Sequence, residues 1–252
     1  EMCIRDSQQL DRLAQLAATT DGKITATDAK KAADSDHGIE VALFGRMVAD
    51  SKDLNVDSAV QVAHALSTHA VEIESDYFTA VDDYKLDEDD AGAGMIGTVE
   101  FTSETLYRFA TVAVSTLKDN LGDVDLTAQA ASAFVRGFIM SMPTGKQNTF
   151  ANNTIPDAVV VQVRKGRSAS FIGAFEDPVT SDDGGFVAAS CQAVAAYAHD
   201  CEEAFLGAPE ASFVTRVGSR TEAIGTMGTQ MPIDDLVSSV RDQVTSLLQD
   251  ES

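Results

Sequence analysis

An α+β fold is what this sequence predicts, on three observations. Short alternating apolar runs at 39–47, 106–114, 158–163 and 170–175 have the period of strands. Apolar residues recur at helical spacing in 7–20, 56–69, 126–142, 186–205 and 233–249. Finally, 252 residues at 44% hydrophobic are enough to bury one large core or two small ones, so both kinds of element have something to pack against.

Each element follows from its own residues. Leu10, Leu13, Leu16 and Ala17 share one helical face in 7–20, and Asp21-Gly22 closes it. In 39–47, Ile39, Val41 and Leu43 alternate with Glu40, Ala42 and Phe44, which reads as a strand. Asp57-Ser58 opens a predicted helix over 56–69 with Val60, Ala63, Leu66 and Ala70 on one face. From 76 to 97 the pattern gives way to Asp82, Asp83, Asp87, Glu88, Asp89 and Asp90, then Gly92, Gly94 and Gly97, which reads as a long exposed loop. The run 106–114 alternates as a strand. Leu126, Ala130, Phe134 and Phe138 recur every four residues in the helix 126–142, which Pro143 stops. Two strands, 158–163 and 170–175, flank the densest cationic turn, Arg164-Lys165-Gly166-Arg167. Ile233, Leu236, Val240, Val244 and Leu247 stripe the last helix.

Forty acids against 18 Lys and Arg give a net charge of −22, which excludes a generically basic nucleic-acid binder. The charge is uneven: residues 101–170 hold seven cations against five acids, so an anionic partner would be met there. No run approaches the roughly 18 apolar residues of a membrane span, and the first 20 residues lack a secretory pattern, so a cytoplasmic protein is expected. Cys3, Cys191 and Cys201 form no CxxC pair and read as free thiols, with no metal or other cofactor implied.

Several short motifs fail on context. Gly92-Ala93-Gly94-Met95-Ile96-Gly97 spells GxGxxG, but acids precede it and the β-prone Thr98-Val99-Glu100-Phe101 follows where a helix is needed. Asp87, Asp89 and Gly92 match an EF-hand only until Ala91 and Thr98 fall where ligands belong. Gly145-Lys146 lacks the first P-loop glycine, and Gln147 replaces the hydroxyl that holds Mg²⁺. His64 and His69, five apart, would lie about 140° apart around a helix and cannot form a zinc face, so they read as core or cap residues.

Longer segments carry more. Gly38-Ile39-Glu40-Val41-Ala42-Leu43-Phe44-Gly45-Arg46-Met47, Ala63-His64-Ala65-Leu66-Ser67-Thr68-His69 and Tyr77-Phe78-Thr79-Ala80-Val81-Asp82-Asp83 are followed by Gly97-Thr98-Val99-Glu100-Phe101-Thr102-Ser103. Then come Leu106-Tyr107-Arg108-Phe109-Ala110, Pro143-Thr144-Gly145-Lys146-Gln147-Asn148-Thr149-Phe150 and Gly173-Ala174-Phe175-Glu176. In order and spacing, from about 38 to 176, these resemble the backbone subunit of the type I-E CRISPR surveillance complex, the CasC (Cse-four, Cas-seven) family.

The resemblance implies a non-enzymatic, hand-shaped protein, many copies of which polymerise along one CRISPR RNA. It implies an RRM-like (ferredoxin-like) palm in 38–69 and 104–176, a thumb loop in 70–103, a leader with a helical fingers remnant in 1–37 and a helical C-terminal region in 177–252. Strand, strand, helix, strand at 39–47, 106–114, 126–142 and 158–163 is compatible with the latter part of a βαββαβ layout. The implied partners are CRISPR RNA, neighbouring copies, other Cascade subunits and, through guide pairing, target DNA, with no membrane. Carried over residue by residue, Arg46 and Met47 contact RNA, Phe78, Thr79 and Val81 form the thumb tip that displaces a base, and Lys146 and Gln147 contact phosphate or sugar. Asn148 stands where the family often has Arg. Arg164, Lys165 and Arg167 match no family motif and are expected only as additional phosphate contacts.

The family's first strand and a basic helix would precede residue 1, so the chain is expected to be N-terminally truncated. Two alternatives stand beside the scaffold: an RNA-processing nuclease of the related RAMP superfamily, with His64 or His69 as general base, and a non-functional fragment.

Overall fold

In the computed structural model, which describes residues 7–20, 22–33, 37–49, 52–80, 95–182 and 185–250, the chain opens with a helical pair. Helix α1 (Ser7–Thr19) meets α2 (Ala26–Ala33), which starts at a reciprocal cap: the Asp28 N–H donates to the Thr25 hydroxyl, and that hydroxyl donates to the Asp28 carboxylate at 2.6 Å. Residues 39–47, expected as a strand, contain helix α3 (Ile39–Phe44) instead. Val41, Ala42 and Leu43 are buried in succession, and Gly45 ends the helix at φ 74 with its N–H on the Val41 carbonyl. Six residues between glycines are too few for alternation to separate strand from helix.

The helix expected over 56–69 is also overturned. Strands β1 (Val60–Val62) and β2 (Leu66–Ser67) occupy it, and each pairs with a segment some 40 to 50 residues later. Helical spacing of Val60, Ala63 and Leu66 was coincidental; the β-branched valines pair across β1 once a partner strand is present. Within the expected thumb loop lie β3 (Glu74–Ala80) and β4 (Met95–Phe101), a seven-residue antiparallel ribbon. Val81, the six acids of 82–90, Gly92 and Gly94 lie outside the described residues.

The expected strand 106–114 is β5 (Leu106–Tyr107) and β6 (Ala110–Val112), running into α4 (Val114–Leu121). Helix α5 (Val124–Met140) starts at Asp123, whose carboxylate accepts the Leu126 N–H at 2.7 Å. The single turn α6 (Gln147–Phe150) precedes β7 (Ala158–Val163). The strand expected at 170–175 is a 3₁₀ turn, Ile172–Phe175, held by buried Phe171, whose N–H donates to the Tyr107 hydroxyl at 3.0 Å. Helix α7 (Val187–Cys201) runs on into a π turn, Glu202–Leu206. The C-terminal region is not wholly helical: β8 (Ala211–Arg216) and β9 (Thr229–Gln230) precede α8 (Ile233–Asp250).

The expected mixture of helices and strands holds, with the described strands in small sheets: β1–β6, β2–β5, β3–β4 and the three-stranded β7–β8–β9. Helix α5 underlies two of them. Its Ala130 and Ala131 pack with Leu117, Leu43 and Val60, while its Ala128 and Ile139 pack with Leu236, Val240, Val244 and Leu248 of α8. β7 is apolar except at Gln162, whose side chain bonds Glu202 and Arg164, because both of its faces are covered. Val159 and Val161 face α5 and α8, and Ala158 and Val160 face α7 and the 3₁₀ segment Ser219–Met227. Burying a side chain such as Leu117 or Leu236 completely contributes roughly 1.5–3 kcal/mol. Cys191 and Cys201 are free; burial, aided by the Asp157 carboxylate, pushes the Cys191 thiol up to about 11. Among the described residues no helix is long and apolar enough to cross a membrane.

Candidate nucleic-acid interface

The β3–β4 ribbon is exposed along nearly its whole length, and among the described paired strands only the two-residue β9 is as open. Its register fixes two faces. Phe78 opposes Gly97, Asp76 opposes Val99, Ala80 opposes Met95 and Glu74 opposes Phe101, so these share one face. Tyr77, Thr79, Thr98, Ile96 and Glu100 lie on the other. The Phe78 ring lies directly over Gly97: a Cβ at 97 would come within 2.7 Å of its Cζ. Phe78 as a residue is 38% exposed, and Tyr77, Met95 and Ile96 are more open still.

At the root of the Phe78 face, Phe101 meets Phe150 of α6 with ring centroids 5.2 Å apart. The Lys146 ammonium sits 5.5 Å from the centre of the Phe150 ring. Lys146 itself adopts φ 62, which turns the chain sharply into α6. The loop is fixed behind it, where the Arg108 guanidinium lies 4.5 Å over the Phe138 ring and donates to the Met142 sulfur at 3.2 Å. One face therefore runs from a half-buried cation through Phe150, Phe101 and Val99 to Phe78. By the strand rise, Phe101 and Phe78 are about 13 Å apart, the span of a few nucleotides.

Of the expected site residues, Phe78, Thr79, Lys146 and Gln147 thus belong to the ribbon and the loop at its root, although Thr79 is on the opposite face from Phe78. Arg46 and Met47 belong to another cluster. Arg46 donates through Nε and Nη2 to the Leu54 carbonyl at 3.2 and 2.7 Å, through Nη1 to Gln9, and pairs its backbone with Val56. Met47, beside it, is 85% exposed. Arg164 is no free phosphate ligand either: its side chain is 8% exposed, ion-paired with Glu202 and bonded to the Gly207 carbonyl at 2.8 Å, which leaves Lys165 and Arg167 open. His64 is exposed, whereas His69 is 9% exposed with both ring nitrogens within hydrogen-bond distance of backbone. Phe101, Phe150 and Arg108 were missed as site residues because their placement depends on pairings that no local spacing encodes.

Comparison with known proteins places this geometry. The model of a family described as CT1975-like protein matches residues 2–239. The chain belongs to that family. Among solved structures, the CT1975-like chain is 34% identical to one titled "CRISPR RNA-guided surveillance complex, pre-nicking", at a TM-score of 0.76 over 91% of this chain and 63% of that one. A second, titled "CRISPR RNA-guided surveillance complex", is 31% identical at a TM-score of 0.70 over 94% of this chain and 85% of that one. This chain spans less than two thirds of the length of the first. No curated protein matches it. The resemblance to a CRISPR surveillance-complex subunit that the sequence suggested is borne out.

Proposed function

We propose that this CT1975-like chain is a non-catalytic backbone subunit of a type I-E CRISPR surveillance complex, which polymerises along the guide RNA and presents it for pairing with target DNA. The observation that carries the reading is the exposed aromatic face of the ribbon continuing into the Lys146 loop, in a chain a third identical to surveillance-complex chains. Stacking on Phe78 displaces a base regardless of its identity, while Lys146 and Gln147 hold backbone at the root and Met47 adds an apolar contact elsewhere. Such contacts read no sequence, which suits a protein whose guide differs from copy to copy. Val81, outside the described residues, joins this role only through the resemblance. The palm is RRM-like in this reading, with the β1–β6 and β7–β8–β9 sheets resting side by side on α5.

A nuclease would need a free general base beside a 2′-hydroxyl. Of the two candidate bases, His69 is occupied by the Ala70 carbonyl and the Thr105 N–H, while His64 is exposed, so guide cleavage unaffected by His64→Ala would support the scaffold. No metal or other cofactor enters the proposed role.

The test is the salt dependence of guide-RNA affinity. Each phosphate neutralised contributes a slope of about −0.7 in log affinity against log salt on a single strand. Lys146→Ala should make the slope shallower by about that amount, equally for guides of different sequence. An unchanged slope would make Lys146 a bystander.

A further inference from the structure

We infer that His69 is a positioning residue that sets the angle of the β3–β4 ribbon against the body. The inference rests on reading that ribbon as the arm that reaches RNA. Since the ribbon's strands are exposed on both faces, its direction is fixed where its two legs leave the body. The legs are joined there by β2–β5 pairing, Ser67 opposite Leu106, and by the Thr68 N–H donating to the Thr105 carbonyl at 2.9 Å.

The next rung of the ladder is supplied by a side chain. Thr105 donates its N–H to His69 Nε2 at 3.1 Å, so Nε2 carries the lone pair. Nδ1 then carries the proton and donates to the Ala70 carbonyl at 2.7 Å. One imidazole thereby bonds the incoming leg at Ala70 and the outgoing leg at Thr105, and uses both nitrogens to do it. The ring also stacks on Phe186 at the start of α7, centroids 3.7 Å apart and planes 13° apart. The neighbouring residue holds the same helix, as the Ser190 hydroxyl donates to the Thr68 hydroxyl at 2.8 Å. Ser67 fixes the backbone of His69 from both sides, its hydroxyl donating to the His69 carbonyl at 2.7 Å and accepting the His69 N–H at 3.3 Å. The two legs and α7 thus meet on this ring.

The test measures the ribbon's position, which a merely structural role would not move. Spin labels go on Thr98→Cys in the ribbon and Ser238→Cys on α8, in a background of Cys3→Ser, Cys191→Ala and Cys201→Ser. His69→Ala should at least double the width of the measured distance distribution. It should also speed amide exchange at Thr105 tenfold or more, with β7 and α8 unchanged. His69→Gln, whose amide oxygen can again accept from Thr105, should restore much of the narrow distribution, and Phe186→Leu should fall between. An unchanged width in His69→Ala overturns the inference. Should that variant fail to fold, unchanged widths in both His69→Gln and Phe186→Leu overturn it equally. Phe78→Ala separates the two readings. If it keeps full RNA affinity while His69→Ala broadens the distances, the arm reading falls and the role of His69 stands.

Discussion

Arg46 and Met47 are adjacent in sequence and do opposite things. The guanidinium of Arg46 is committed to the Leu54 carbonyl, so Arg46→Ala leaves a partly buried acceptor short of its donors, a loss of roughly 1–3 kcal/mol. In a chain of this size each kcal/mol is about 2–4 °C of melting temperature. Met47 buries little, and Met47→Ala should leave the melt within about 0.5 kcal/mol of the parent. Thermal melts of the two variants therefore assign them: a lowered midpoint for Arg46→Ala alone makes Arg46 the support and Met47 the exposed contact. An unshifted Arg46→Ala would mean that its guanidinium is spare for RNA.

The ribbon depends on the missing side chain at Gly97. Gly97→Ala puts a methyl against the Phe78 ring, which must swing off the strand. The ribbon is exposed, so the melt should hardly change, but RNA affinity should fall by part of the roughly 1–3 kcal/mol that a stacked base contributes. Full affinity in Gly97→Ala would show that the ring over Gly97 is not the binding arrangement. This element was hard to read in the sequence for physical reasons. Its strands are open on both faces, so no apolar–polar alternation marks them, and residues 81–94 between them offer no tight-turn signal. β1 and β2 escaped similarly, since their partners are some 40 to 50 residues away and chance gave them helical spacing. β8, at Ala211–Arg216, is as long as β7 but mixes Ser212, Thr215 and Arg216 with its apolar residues, so no continuous apolar run marks it. By contrast α5, α7, α8 and β7 were legible because burial imposes a period on them: α8 must keep Leu236, Val240 and Val244 on one stripe. The candidate site was legible at Phe78, Lys146 and Gln147, through resemblance of long segments. Their meeting through Phe101 and Phe150 was not.

At the scale of the whole molecule, a net charge of −22 opposes any polyanion, so the proposed role requires RNA to be met by a few local cations and by stacking. Salt then acts in two directions. It screens acid repulsion within the fold, the Debye length falling from about 10 Å at 0.1 M to 3 Å at 1 M, while it weakens phosphate contacts. Stacking is the contribution least affected by salt, and in the proposed role it resides in Phe78. The most direct measurement of the central claim is accordingly the affinity of single-stranded guide RNA for the parent chain and for Phe78→Ala, with thermal melts of both. The account predicts a melt that hardly moves and an affinity about 5- to 150-fold weaker, the equivalent of roughly 1–3 kcal/mol. An unchanged affinity together with a much lower melting temperature would contradict it, because Phe78 would then be an anchor of the fold and the ribbon no RNA-contacting arm.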